Sequence, residues 1–301
     1  MTSYLEQREC LAKFATEDTS AKILLPNAPS QRQRENANES LESSCERLIF
    51  YRKNFIIQEC TSLTYILSVL GNHPNIIHLI GISPMMKDEF YIIMEFCDDR
   101  DALTYLQKVH REESIQVFIR SFLRICLDVC DAMAYIHRVG YTHRDITASN
   151  ILVKGGRAKI GDLGLARKIL QEPTSEPVDG DRRLGDLLPA FHSIYAPPEL
   201  ESFQTQYTTG CDVYCFGIAV WEMSMLRKWT RNDVARPREQ VLGDLKEMPN
   251  YVRNVVSKCW HEEDAFRPTF DELYQEFFEI YQEPWDTYRG ILSEIPSRED
   301  M

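Results

Sequence analysis

Four residues of chemical interest, His143, Arg144, Asp145 and Asn150, fall within the single stretch HRDITASN, and Asp162 follows shortly in the tripeptide DLG. An aspartate can take the proton of a hydroxyl, and a carboxamide with a second carboxylate can hold a hard cation. A loop that only satisfies its own backbone would account for any one of these residues alone. The intervening sequence argues for the set. ILV (151–153), a Lys154-Gly155-Gly156 turn and AKI (158–160) predict a hairpin, which would bring Asp145, Asn150 and Asp162 to neighbouring loop ends. Such a convergence suits a nucleotide phosphate–Mg²⁺ site, because Mg²⁺ prefers oxygen ligands and takes only one or two from protein. Phosphoryl transfer asks the protein mainly for positioning, charge stabilisation and a base beside the incoming hydroxyl.

The elements that must position these residues are legible in the hydrophobic pattern. LIFY (48–51) is a short strand, and IIQECTSLTYILSVL (56–70) predicts a helix ending at Gly71. NIIHLIGI (75–82) and FYIIMEFC (90–97) read as two further strands. Beyond Asp98 the chain turns mainly helical. Phe122, Cys126, Val129, Met133 and Ile136 recur at helical spacing and predict an amphipathic helix that stops at Gly140. DVYCFGIAVWEM (212–223) is apolar nearly all round and predicts a buried central helix. Thr269 and Glu272 form a T-x-x-E capping box that opens a helix carrying Phe270, Leu273, Phe277 and Ile280. Residues 1–47 are expected to be linker or disordered, since the stretch from Pro26 to Arg47 buries too little apolar surface to offset its ordering entropy.

A formal net charge of −12 argues against nucleic-acid binding, which needs a Lys/Arg excess. The nine cysteines include no CxxC pair. Cys126 with Cys130, and Cys211 with Cys215, sit in apolar segments and are expected to be buried free thiols of a reducing compartment, with zinc ligation the sharper alternative. No apolar run reaches the length of a membrane span and no secretory signal opens the chain, so a cytoplasmic, intracellular location is expected. A piece of a larger receptor would look the same.

HRDITASN followed by DLG resembles the catalytic and metal-binding loops of the eukaryotic protein kinases. PPE (197–199), the DVYCFGI helix, CW (259–260) and RPTF (267–270) extend the resemblance downstream, and HPNII (73–77) with FYIIMEFC extends it upstream. The wording is closest to tyrosine kinases and tyrosine-kinase-like kinases. The resemblance implies an α+β, two-lobed fold with a small β-rich N-lobe (48–97), a larger helical C-lobe (98–282) and a tail (283–301). It further implies ATP and Mg²⁺ as cofactors, a protein substrate, and tyrosine ahead of serine or threonine as the acceptor. By the same resemblance Asp145 takes the hydroxyl proton, His143 and Arg144 orient the loop, and Asn150 and Asp162 hold Mg²⁺. Lys53, Glu95, Cys97 and Leu152 would serve the nucleotide, with Met94 as gatekeeper, and Glu199 would pair with Arg267.

The chain also departs from the family pattern. Residues 1–70 contain no glycine, so there is no glycine-rich loop to bring backbone N–H groups close to phosphate. The partner of Lys53 should fall at Leu63 or Thr64, and Glu59 lies one turn early, which leaves Lys53 and Glu59 as exposed charges in the plainer reading. The N-lobe is thus degenerate or truncated. Two functions remain open: a protein kinase with altered nucleotide clamping, or a pseudokinase acting as a scaffold or allosteric partner. Thr147 and Ser149 stand where family members carry Lys or Arg, and Tyr195 stands where tyrosine kinases tend to carry Trp. Thr174, Ser175 and Ser193 are candidate regulatory phosphosites that Arg144 could receive.

Overall fold

The computed structural model describes residues 48–51, 57–82, 92–169, 194–201 and 207–282. Lys53, Thr174, Ser175, Ser193 and the segments 1–47 and 283–301 lie outside them. The chain divides between Asp98 and Asp99 into two compact units.

The first unit holds a three-stranded antiparallel sheet with β1 (Leu48–Tyr51) and β2 (Leu79–Ile82) flanking β3 (Ile92–Glu95). Its helix, α1 (Ile57–Leu70), buries Leu63, Ile66, Leu67 and Leu70. Gly71 ends α1 at φ +61, where its N–H donates to the Leu67 carbonyl at 3.1 Å. This left-handed stop needs a residue without a Cβ. The strand expected over NIIHLIGI is shorter than its apolar run. Ile76 N–H closes a turn onto His73 O at 3.2 Å, so regular pairing starts only at Leu79. Ile76 and Ile77 are nevertheless buried, which explains why the run is apolar before the strand begins.

The second unit is built around α3 (Ile115–Arg138). Ser114 caps its start, accepting from Val117 N–H, and Gly140 at φ +88 ends it. Its apolar face is packed against α2 (Ala102–Glu112), α8 (Phe270–Gln282) and the hairpin of β5 (Ile151–Lys154) and β6 (Arg157–Ile160). Asp128, buried on α3, accepts from Arg157 Nε at 2.8 Å, Arg157 Nη2 at 2.7 Å and Ala158 N–H at 2.9 Å, which fixes the hairpin to the helix. The hairpin turns through Gly155 and Gly156, both at positive φ.

α4 (Thr209–Met225) is the buried helix expected from DVYCFGIAVWEM. It packs on α7 (Asn250–Cys259), with α5 (Arg231–Val234) and α6 (Arg238–Gly243) between them in sequence. Gly217 permits the close approach, because a Cβ there would lie 2.7 Å from Cys259 Cβ and 2.8 Å from Trp260 Nε1. Phe216, Phe270 and Phe277 meet edge-to-face around this core, at centroid separations of 5.4 and 6.3 Å. The Thr269–Glu272 box closes as the sequence predicts: Glu272 N–H donates to Thr269 Oγ1, and Thr269 N–H donates to Glu272 Oε2 at 2.7 Å. Among the described residues Cys97, Cys126, Cys130, Cys211, Cys215 and Cys259 are all buried and carry no disulfide. Burial pushes the Cys126 and Cys130 thiols well above their ordinary value.

Candidate active site

HRDITASN occupies the loop between β4 (Tyr141–Thr142) and β5. β4 is held by pairing with β7 (Arg167–Lys168), so both ends of the loop are fixed by strands. Its interior is fixed by side chains of α4. Asp212 is wholly buried, and its two oxygens accept four hydrogen bonds. His143 N–H and His137 Nε2 meet Oδ2, each at 2.9 Å. Arg144 N–H and the Tyr207 hydroxyl meet Oδ1 at 2.9 and 2.8 Å. Burial raises the Asp212 carboxyl, but the bonds and charge from His137 and His143 outweigh it, so its pKa is lowered overall. Further along α4, the buried Glu222 accepts from Ala148 N–H at 3.2 Å, the Tyr195 hydroxyl at 2.6 Å and Trp229 N–H at 2.9 Å. One helix therefore holds the loop at both of its ends through two buried carboxylates.

His143 is fully buried and ties this loop to the next. Its Nε2 lies 2.9 Å from the Gly161 carbonyl, which can only accept, so Nε2 carries the proton. Its Nδ1 then accepts from Asp145 N–H at 3.2 Å. Asn150 completes the arrangement. Its Nδ2 donates to the Asp145 carbonyl at 2.8 Å and to Asp145 Oδ2 at 2.7 Å, while its own carbonyl accepts from Gly161 N–H at 2.9 Å. The hairpin register, Ile151 opposite Ile160, places Asn150 across from Gly161 and next to Asp162. His143, Asp145, Asn150 and Asp162 are thus gathered at one end of the β5–β6 hairpin, as the spacing predicts.

Two of the loop residues adopt left-handed backbone without being glycine: Arg144 at φ +71 and Asp162 at φ +47. Each conformation costs about 1 kcal/mol or more and persists only where its surroundings over-determine it. Here the surroundings are Asp212 for Arg144 and the buried Leu163 for Asp162. The Arg144 guanidinium lies 5.2 Å from the centroid of the Tyr207 ring, and its Nε donates to Thr142 Oγ1 at 3.3 Å. Thr147 is buried and Ser149 exposed, so the two loop positions left ambiguous by sequence differ in what they can reach.

Glu199 and Arg267 form the expected ion pair, bidentate at 2.6 and 2.8 Å. The Arg267 side chain is 0% exposed and Glu199 18%. Burial raises the Glu199 carboxyl, but the Arg267 guanidinium holds it below the usual carboxylate range. Glu199, Cys211 and Asp264 cluster closely enough to suggest metal ligation. The Arg267 guanidinium already serves them as the cation, which disfavours a metal ion there. Burial pushes the Cys211 thiol up to about 12, and Sγ donates to Glu199 Oε1 at 3.4 Å.

Among the remaining candidates, Glu95 and Cys97 belong to the first unit and Leu152 to the second. Glu95 N–H donates to the His78 carbonyl at 3.0 Å inside the sheet. Met94 is buried on β3. Sequence reasoning did not assign roles to His137 or Glu222, or the anchoring role of Asp212. The signal was available: two acidic residues inside an otherwise apolar helix must each find donors, since an unpaired buried carboxylate is strongly unfavourable.

Comparison with known proteins places this geometry. The family described as protein tyrosine and serine/threonine kinase matches residues 52–277. The chain belongs to that family. The kinase domain is of the tyrosine kinase type, with the α+β, two-lobed kinase fold and a helical C-lobe. It is 31% identical over 224 residues to mouse tyrosine-protein kinase TXK, covering 71% of this chain and 39% of that protein. It is 30% identical over 232 residues to the tyrosine-protein kinase transforming protein ros of UR2 avian sarcoma virus, covering 71% of this chain and 54% of the relative. Mouse tyrosine-protein kinase Fer is 31% identical over 213 residues, 68% of this chain and 24% of its own length. The chain thus spans between about a quarter and about half the length of these curated relatives. ATP and Mg²⁺ are typical cofactors of this family, and among the described residues no helix is long and apolar enough to cross a membrane.

Proposed function

We propose that this kinase domain transfers the γ-phosphoryl group of ATP to a protein hydroxyl, tyrosine ahead of serine or threonine. The observation that carries this reading is the Asp145–Asn150 bond at 2.7 Å, held at the hairpin end beside Asp162. With its Nδ2 committed to Asp145, Asn150 has Oδ1 as the oxygen to offer a cation, and Asp162 adds a carboxylate. One or two protein oxygens is what Mg²⁺ takes when nucleotide phosphates and water supply the rest, so the donor set fits. Bound Mg²⁺ would neutralise charge on the phosphate oxygens. Asp145 would accept the proton of the incoming hydroxyl, with the bond from Asn150 holding its carboxylate in place. His143 and Arg144 would fix the loop through Asp212. Glu95 would offer adenine a backbone group, as the family resemblance implies. By the same resemblance Cys97, Leu152 and Lys53 would each serve the nucleotide. Tyrosine as acceptor is supported by the tyrosine kinases among the relatives. The kinase domain would occupy 48–282, divided at 97/98, between a polar segment (1–47) and a tail (283–301), and act in the cytoplasm on a protein partner.

A second reading, a pseudokinase serving as a scaffold or allosteric module, is favoured by one observation: residues 1–70 contain no glycine. The test combines a thermal shift with millimolar Mg·ATP and phosphate transfer to a Glu/Tyr copolymer. The kinase reading expects a shift and transfer, with Asp145→Asn keeping the shift and losing transfer by about 10²–10⁴-fold. No shift and no transfer would leave only the scaffold.

A further inference from the structure

Away from the catalytic loop, the C-terminal end of α8 meets the first turns of α3 at a pair of arginines. Arg124 Nη2 donates to the Tyr281 hydroxyl at 2.9 Å, and Arg120 lies over the same ring. The guanidinium carbons of Arg124 and Arg120 lie 4.5 and 5.3 Å from the centroid of the Tyr281 ring. A single neutral phenol therefore faces two cations. Burial raises the phenol, but the two arginines more than offset it, and its pKa is lowered. Among the described residues neither arginine is paired with a carboxylate. The nearby carboxylate of Asp128 is taken up by Arg157. This is an unusual gap in a chain of net charge −12. The three side chains border a solvent-open depression of about 220 Å³, which Val117, Ser121 and Gly156 complete.

We propose that Tyr281 is a tyrosine-phosphorylation site, with Arg120 and Arg124 a receiver already assembled for its phosphate. In the modifying step a bond forms between Tyr281 Oη and the γ-phosphorus of ATP. The bond from that phosphorus to the β,γ-bridging oxygen breaks, ADP leaves with the electron pair, and the phenolic proton passes to the base of the modifying tyrosine kinase. Tyr281 is the penultimate residue of α8, and a helix end frays readily enough to present its side chain to an enzyme. On return, the phosphate would replace one weak acceptor by three anionic oxygens, opposite two guanidiniums whose planar forks suit them. The modification would then clamp α8 to α3, the helix at the centre of the second unit. The proposal does not depend on the activity of this chain, because the modifying kinase can be another molecule.

The full chain is incubated with Mg·ATP and a broad-specificity tyrosine kinase, and its phosphotyrosines are mapped by peptide mass spectrometry. Thermal melting then compares phosphorylated and phosphatase-treated samples. Phosphate on Tyr281 is expected, with a rise in Tm of about 3 °C or more that is missing in Tyr281→Phe and in Arg120→Gln/Arg124→Gln. Should the double Gln variant fold poorly, Arg120→Lys/Arg124→Lys keeps the charge without the fork and is expected to lose most of the rise. Absence of phosphate from Tyr281 overturns the proposal. So does a phosphate there that leaves Tm unchanged or lowers it, or a rise that survives in the arginine variants.

Discussion

Replacing Asp212 by Asn tests whether α4 is the scaffold of the catalytic loop. The amide is nearly isosteric, but one oxygen becomes an NH₂ group. If the NH₂ replaces Oδ2, it faces His143 N–H and His137. His137 can change tautomer and accept, whereas the His143 N–H cannot. If it replaces Oδ1, it faces Arg144 N–H and the Tyr207 hydroxyl. The hydroxyl can turn and accept, whereas the Arg144 N–H cannot. Either orientation leaves one buried backbone donor unsatisfied, at a cost of about 1–3 kcal/mol, and the remaining bonds lose their charge assistance. A total of about 2–4 kcal/mol is a large share of a typical stability of about 5–15 kcal/mol. At roughly 2–4 °C per kcal/mol for a domain of this size, Tm should fall by about 5–15 °C. Tyr207→Phe is the control, since Asp212 Oδ1 keeps the Arg144 N–H when the hydroxyl is removed, and it should cost no more than about 1.5 kcal/mol. Thermal and urea unfolding of both variants decide the matter. An Asp212→Asn protein that melts within 2 °C or so of wild type, or no lower than Tyr207→Phe, refutes the scaffold argument.

Further outcomes follow from the same contacts. Glu199→Ala removes the bidentate partner of the buried Arg267, leaving Asp264 at 3.5 Å, and should cost about 3 kcal/mol, with Glu199→Ala/Arg267→Met recovering part of it in a double-mutant cycle. Gly217→Ala forces a methyl against Cys259 and Trp260 and should cost about 1–3 kcal/mol in urea unfolding, although Ala is the better helix former. The acid limb of stability follows from the signs of the carboxyl shifts. Asp212 and Glu199, both lowered, stabilise the fold above the ordinary carboxylate range and lose that contribution as pH falls through their folded values. Glu222, raised by burial, acts in the opposite sense: its contribution is greatest at low pH and is lost as pH rises through its raised value. Stability measured by urea unfolding from about pH 6 down to pH 3 should therefore fall less steeply in Glu199→Gln and no less steeply in Glu222→Gln.

The sequence determined by itself the elements and the identity of the reacting groups. Helical spacing marked α3 and α8, glycine marked the stops at Gly71 and Gly140, and a Gly-Gly turn marked the β5–β6 hairpin. These are local signals, set by φ/ψ preference and by the period of apolar residues, so they survive without knowledge of the fold. The loop His143–Asn150 with Asp162 was legible because a hairpin of fixed register must bring its two ends together. The strand over NIIHLIGI was over-extended because burial and pairing are different constraints, and Ile76 and Ile77 meet the first without the second. Tertiary structure alone decided what holds the loop. Asp212 and Glu222 look in sequence like interruptions of an apolar helix. Only the packing of α4 beneath the loop brings His143, Arg144 and Ala148 within hydrogen-bonding distance of them, across separations of about seventy residues. The meeting of Arg120, Arg124 and Tyr281 has the same origin. Nothing local joins residues that far apart, and only the packing of α8 on α3 sets two guanidiniums on one phenol.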